Sequence, residues 1–386
     1  MKVLIAPDSF KECLSAPEVA RAIAEGWRRV APQDVLVEMP LADGGEGTTV
    51  ALVNAAGGTL HPCTVTGPLG AVVTAYFGLL ADGSTAVVEV AEASGLHLVA
   101  PDQRDALRAS SFGTGELILA ALQHQPRRLI IGLGGSATTD AGVGLLQALG
   151  ARFKDALGKA LSPGGGALIN LVHIDIAAVV ARLSGVEVLV ATDVTNVLLG
   201  PRGAAAVFAP QKGASADQVL ALESGLQHYA ACARAHGYDV DSVPGSGAAG
   251  GIGGTLFGMF GAGKPGAQIV SGVELVMRTV GLEQQLRDVD IVITGEGSLD
   301  AQSAAGKVPA GVCALAQRHG VPVIALAGVV GESVQTLHGQ ALHERGLTAA
   351  FSIAPGPLSR AEALASAAQN LARTAEQIAR LLHAMR

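Results

Sequence analysis

Arg128 to Gly150 reads RLIIGLGGSATTDAGVGLLQALG, and the order of residue types in it sets the fold class. Leu129 to Ile131 is a short aliphatic, β-branched run of the kind that fills a buried parallel strand. Gly132, Gly134 and Gly135 then remove side chains where the backbone must turn sharply or come close to a ligand. Ser136, Thr138, Thr139 and Asp140 are good caps for the helix predicted over residues 141–149. Strand, glycine turn and helix start make a βα unit whose unpaired N–H groups and dipole converge on one spot, which suits a phosphate. The same order also serves an ordinary tight βα turn with a capped helix.

Outward from this stretch the same rhythm recurs at both ends of the chain. Strands are expected at residues 3–6 and 36–41, each followed by a polar loop and a helix. The first helix starts with the capping box Ser15-Ala-Pro-Glu18 and presents Val19, Ile23, Trp27 and Val30 on one face. Three more βα units follow residue 270, with strands at 290–294, 323–327 and 349–353. The turn Gly295-Glu296-Gly297-Ser298-Leu299-Asp300 is expected after the first of them. The last helix keeps a 3.6-residue period through Leu364, Ala368, Leu371, Ala375, Ile378 and Leu382. Residues 64–90 break the rhythm and read as two or three antiparallel strands. Five parallel strands predict a flavodoxin-like doubly wound α/β sheet. It would be built from residues 1–60 and 272–386, with a second α/β domain inserted as residues 61–271.

Composition supports this class and excludes others. Hydrophobic residues are 49% and charged residues 15% of 386, aromatics are only 3%, and there are 51 glycines, a mixture suited to aliphatic strands joined by glycine turns. A net charge of −7 without a Lys/Arg stripe argues against a nucleic-acid surface. Cys13, Cys63, Cys232 and Cys313 lie far apart, which fits a reducing cytoplasm better than a disulfide framework or a zinc site. The short apolar run after Lys2 is a strand rather than a signal peptide, and no run is long enough for a membrane span. A homo-oligomer is compatible with these residues.

Ligands of open α/β sheets bind beyond the carboxyl ends of the strands, and those ends are unusually polar here. They carry Asp8, Ser9 and Lys11; Asp43, Gly44, Gly45 and Glu46; Thr294, Gly295, Glu296 and Asp300; and, in the inserted part, residues 134–140 and 193–196. One such acid is commonly a helix cap. Five loops together suit phosphoryl transfer, in which carboxylates take magnesium, lysine neutralises phosphate and backbone amides cradle it. Lys212, in the rigid Ala209-Pro-Gln-Lys-Gly213 loop, reads as a surface charge or a ligand contact. Two motif matches are set aside. GSGAAG at 245–250 lacks a preceding strand, and the near P-loop at 258–265 has Pro265 where a hydroxyl would hold magnesium.

The loops resemble the bacterial glycerate kinase family of the glycerate 2-kinase type. The matching segments, in family order, are APDSFK (6–11), ADGGEGT (42–48), VTGPLG (65–70), GTGELI (113–118), IGLGGSATTDAG (131–142), ATDVTN (191–196), FAPQKGA (208–214), GAAGGIGG (247–254), VITGEGSLD (292–300) and GKVPAGV (306–312). The resemblance implies a flavodoxin-like domain with an inserted α/β domain of restriction-endonuclease-like type. It also implies ATP-dependent, magnesium-assisted phosphorylation of D-glycerate to 2-phosphoglycerate in the cleft between the domains, with closure bringing phosphate and hydroxyl together. Asp193 is the first choice of base, with Asp8 as its competitor, and Lys11 is assigned to phosphate. Gly134, Gly135, Ser136, Thr138, Lys212, Gly250 and Gly251 are expected at the nucleotide. Ser9, Gly44, Gly45, Asn196, Thr294, Gly295, Glu296, Asp300 and Lys307 are expected at the substrate, and Asp43 and Glu46 at magnesium. Other readings are a kinase for another small hydroxy acid, glycerate 3-phosphorylation, or a non-catalytic nucleotide- or sugar-phosphate-binding regulator. Departures from the family pattern are Ser298 for arginine, Ser303 for threonine, Thr139 for asparagine, and Glu12-Cys13.

Overall fold

A computed structural model describes residues 1–11, 13–260, 267–300, 303, 307–331 and 342–385. Glu12, Lys264 and most of the helical stretch expected near 334–344 lie outside the described residues. The chain forms two compact units, Met1–Asp43 with Val273–Arg386, and Gly44–Gly272. The expected break after residue 60 therefore comes at 43. The helix Thr48–Ala56 packs on strands of the second unit, where Gly78 leaves room for Val53 and Thr49.

Numbered along the chain, the first unit contains β1 (Lys2–Ile5), β2 (Val35–Glu38) and, after the eight strands of the other unit, β11 (Ile291–Leu299), β12 (Val323–Val330) and β13 (Leu347–Ser352). All are parallel, in the order β13-β12-β11-β1-β2. Read from β2 this is 2-1-3-4-5, the flavodoxin-like order. Helices Ala16–Arg28 and Ala367–Ala384 pack together on one face, burying Val19, Ile23 and Trp27 against Leu371, Ala375 and Ile378. A Cβ on Gly26 would stand 2.0 Å from the carbonyl oxygen of Ala372, so this crossing requires glycine. The last helix is not continuous. It breaks at Ser366, which shifts the buried face so that Ala367 is buried and Ala368 exposed.

A second difference bears on function. The expected turn at Gly295–Leu299 is strand: β11 continues through it, pairing Gly295 with Leu326 and Ser298 with Val329. Sheet pairing overrides the glycine signal there, and a Cβ on Gly295 would lie 2.2 Å from the Leu326 carbonyl oxygen.

The second unit contains β3 (Thr59–Thr66), β4 (Val72–Leu79), β5 (Thr85–Glu89), β6 (Arg128–Gly132), β9 (Glu187–Ala191) and β10 (Gln268–Val270) in one mixed sheet, with β7 (Arg152–Lys154) and β8 (His173–Asp175) as a separate hairpin. The sheet order is β10-β9-β6-β5-β4-β3. β3, β4 and β5 are antiparallel, as the broken rhythm predicts, while β5, β6, β9 and β10 run parallel. Its core combines Val88, Leu129, Ile131 and Val190 with Leu117 and Ile118 of the helix Phe112–Leu122.

Candidate active site

In the first unit the carboxyl ends of β1 and β11 carry acids. Asp8 follows β1, is only 3% exposed, and accepts the Ser9 N–H at 2.7 Å. Burial and the neighbouring Asp43 carboxylate push its carboxyl up to about 8, against the pull of the Ser9 N–H; Glu296 adds to the rise and Lys11 opposes it. Glu296 stands on β11 itself, with Lys307 Nζ at 3.5 Å from Oε2. Burial raises its carboxyl despite the lysine.

The neighbouring residues are held by local bonds. Thr294 Oγ1 donates to the Ala6 carbonyl at 2.8 Å, and the Asp8 N–H donates to the Gly295 carbonyl at 2.8 Å. These tie β1 to β11, so Thr294 serves the framework. Asp300 is fixed by Ser303, whose Oγ accepts the Asp300 N–H and donates to the Ser298 carbonyl, each at 3.0 Å. The Ser298 side chain is exposed on β11.

A buried acid pushed up by a second acid has a repulsion that a divalent cation would relieve. Among the described residues no group of three or more His, Cys, Asp or Glu is arranged to hold a metal. Magnesium keeps several of its waters and needs only one or two carboxylates, so Asp8 with Asp43 fits it. Glu46, also expected at magnesium, lies in the second unit, where it is exposed and has Glu92 as its charged neighbour.

In the second unit the quoted stretch forms β6, the turn Leu133–Gly142 and a helix shorter than expected, Val143–Ala148. Asp140 is 1% exposed and accepts four donors: the Ser111 N–H and hydroxyl at 2.8 Å each, the Gly142 N–H at 3.1 Å and the Gly144 N–H at 3.3 Å. The helix start therefore spends donors on Asp140 that the sequence reading offered to phosphate. The buried cation of this unit's glycine turns is Lys212. It is 2% exposed and donates to Ser136 Oγ at 3.0 Å and to the Thr138 carbonyl. Burial pulls its ammonium down to about 7, opposed by Asp140. Thr138 and Thr139 keep buried hydroxyls without a hydrogen-bond partner among the described residues.

Gly250 and Gly251 are explained by packing. The Gly250 carbonyl accepts the Ala141 N–H at 3.0 Å, and a Cβ there would lie 2.2 Å from the Thr138 carbonyl oxygen. Gly44 and Gly45 lie against the glycine turn, where the Gly134 N–H donates to the Gly44 carbonyl at 3.3 Å and Gly135 has φ +74. Asp193, just beyond β9, accepts from Ser271 Oγ at 2.7 Å. Asn196 donates its amide to the Arg202 carbonyl at 2.8 Å and so braces its own loop.

Three residues escaped the sequence reading. Ser271 orients Asp193, but a lone serine gives no signal. Arg104 lines the small space beside Lys212 and donates to the Gln211 carbonyl at 3.0 Å. Glu89 is fully buried at the end of β5, and an acid inside the apolar run Ala86-Val-Val-Glu-Val90 was the available signal.

Mutually repelling buried acids in one unit, and a buried lysine among glycine turns in the other, are the equipment of a phosphotransferase. Comparison with known proteins narrows the class. The Glycerate kinase family description matches residues 3–383, and this chain belongs to that family. It is 47% identical over 380 residues to the glycerate kinase of Bacillus subtilis strain 168, covering 98% of this chain and 97% of the relative. It is 45% identical over 383 residues to the glycerate 2-kinase of Escherichia coli K12, covering 99% and 98%. The crystal structure of a Salmonella typhimurium LT2 protein assigned as glycerate kinase 2 superposes with a TM-score of 0.82 at 46% identity, covering 100% of this chain and 98% of that one. No helix among the described residues is long and apolar enough to cross a membrane.

Proposed function

We propose that the protein catalyses ATP-dependent phosphorylation of D-glycerate at its 2-hydroxyl, yielding 2-phosphoglycerate. The observation that carries this reading is the full-length similarity to a glycerate 2-kinase, 45% identical over 383 residues. The chemistry of the strand ends supports it. Asp193, oriented by Ser271, accepts the proton of the attacking hydroxyl. Lys212, lodged against Ser136 and the Thr138 carbonyl, meets nucleotide phosphate beside Gly134 and Gly135. Its ammonium sits near 7 in the free protein, so an arriving phosphate dianion favours the charged form. Asp8 and Asp43 would hold magnesium, which when bound supplies neutralisation of phosphate charge. Lys11, Ser9, Glu296, Lys307 and Asp300 are assigned to the substrate side. Glu296 and Lys307 form a weak pair at 3.5 Å that a carboxylate ligand can compete for.

Coupled ADP release measured with D-glycerate, L-glycerate, glycolate and no acceptor tests the activity. Turnover with D-glycerate alone is expected. Equal release with and without acceptor overturns the kinase reading, and a glycolate preference replaces the substrate. Phosphorus NMR of the product tests the position, and a signal from the 3-phosphate alone refutes 2-phosphorylation. The family assignment leaves no observation favouring a non-catalytic regulator.

A further inference from the structure

Glu89 ends β5 as a fully buried acid, and none of the roles above uses it. A buried carboxylate is costly unless its oxygens meet donors, and here both do. Oε2 accepts the Gly47 N–H at 3.0 Å, and Oε1 accepts the Thr49 N–H. Those N–H groups open the helix Thr48–Ala56, whose preceding Gly47 has φ 90. A glutamine in the same place has a single acceptor oxygen and would leave one of the two donors facing an amide NH2. The acid is therefore matched to a pair of backbone donors; burial pushes its carboxyl up to about 7, and the Thr49 and Gly47 N–H groups at the helix start pull against that rise.

The turn that Glu89 holds is packed from the other side by the glycine turn of the quoted stretch. The Gly134 N–H donates to the Gly44 carbonyl at 3.3 Å. A Cβ on Gly132 would stand 2.7 Å from the Gly44 carbonyl oxygen, and one on Gly134 would stand 2.4 Å from Gly45 Cα. Glu89 is also the cross-strand partner of Gly132 in the β5–β6 pairing. One side chain thus sits at the joint of two glycine-rich turns, both within the second unit.

We infer that Glu89 is a positioning residue: by binding the Gly47 and Thr49 N–H groups it fixes the 44–47 turn against the 132–135 turn, and so sets the backbone that meets the phosphoryl group. The inference rests on the kinase reading above. It also assigns the phosphoryl group to the Ser136–Thr138 turn and Lys212, because the Gly47 and Thr49 donors are occupied by an acid.

The test uses the full chain with Glu89→Gln, Glu89→Asp and Gly134→Ala, the last pushing the same turn from its opposite side. The readouts are steady-state kinetics with ATP and D-glycerate and amide hydrogen exchange at Gly47 and Thr49. Misplacement of a reacting group by a fraction of an ångström to 1 Å costs about 10- to 100-fold in rate. Glu89→Gln is expected to lower kcat by that factor with both KM values within about threefold, and to speed exchange at the two amides. Glu89→Asp, which keeps both acceptors, is expected to recover part of kcat. Gly134→Ala is expected to reproduce the kcat loss, and the double variant to lose less than the product of the two factors. Wild-type kcat in Glu89→Gln, even with a lowered melting temperature, overturns the inference. If that variant does not fold, wild-type kcat in Gly134→Ala overturns it. If the wild-type protein releases no ADP with D-glycerate, the kinase reading fails instead, and unchanged exchange at Gly47 and Thr49 in Glu89→Gln then overturns the positioning role separately.

Discussion

Burial raises the carboxyls of Asp8, Glu89 and Asp140 alike, and the two units differ in what faces those carboxyls. In the second unit Asp140 meets three backbone N–H groups and the Ser111 hydroxyl, and Glu89 meets two backbone N–H groups. Asp8 in the first unit receives the Ser9 N–H and faces a second carboxylate, Asp43, which helps to drive it up to about 8. Burial alone therefore does not mark a functional acid. The acids whose oxygens meet donors from a neighbouring turn hold the backbone, while the acid left facing a second carboxylate is poised for a ligand that brings positive charge. The basic side makes the same point, since Lys212 lies among neutral oxygens with its ammonium pulled down to about 7.

The largest expected effect is on turnover. Asp193→Asn should lower kcat by about 100- to 10,000-fold, the contribution of a positioned base, with an unchanged melting curve. Near-normal turnover would return the base assignment to Asp8. Stability should then separate the two units by sign. Asp140→Asn leaves buried donors unpaired and should cost about 1–3 kcal/mol in denaturant unfolding. Asp8→Asn, measured in chelator, should stabilise. The folded state binds more protons than the unfolded chain between the ordinary aspartate range and about 8, so wild-type stability falls as pH rises through that window. The gain from Asp8→Asn is therefore small near pH 4 and largest near pH 8. If both variants destabilised equally, the contrast between the units would be wrong.

Lys212→Met makes the corresponding test of the cation. The lysine is harder to charge in the folded protein, so it destabilises fully below about pH 7, and the penalty disappears as pH rises toward the ordinary lysine range. The variant should melt higher than wild type at pH 6 and match it near pH 10, while losing nucleotide affinity in calorimetry. The smallest effect concerns magnesium. Millimolar magnesium should raise the melting temperature of the nucleotide-free protein by a few degrees, following RT ln(1 + [L]/Kd). Asp8→Asn and Asp43→Asn should abolish the rise, whereas Glu46→Gln should retain it.

Much of the fold was legible because parallel βα units carry strong local signals. Aliphatic runs at strand positions located β1, β6 and β12 to within a few residues, and the capping box at Ser15 marked a helix start. What was missed depended on contacts distant in sequence. β11 runs through its glycines because β12 pairs with them, and the helix Thr48–Ala56 belongs to the second unit because Gly78 receives it there. The site was legible as a set of residue types at strand ends. Which of them act on a ligand was not legible, because that depends on donor satisfaction. Thr294, Asn196 and Gly250 stand in matching family segments just as Asp8 and Lys212 do, yet their polar groups or backbones are bound to their own surroundings. Glu89 carried a signal only as an acid within an apolar run, and the donors it meets lie 40 or more residues away in the chain.

The interrupted course of the first unit has a consequence for biosynthesis. β1 cannot complete its sheet until β11 exists, and the Lys2 N–H finds its partner, Asp290, 288 residues later. A ribosome adding about 5–20 residues per second keeps the first 43 residues waiting for tens of seconds with two apolar strands and the Trp27 face uncovered. The second unit has its whole sequence in hand by Gly272 and can close its core meanwhile. Late pairing across so long a separation is slow, so residues 1–43 should stay open to chaperone capture and proteolysis until β11 emerges, and the Trp27 face until the helix Ala367–Ala384 follows.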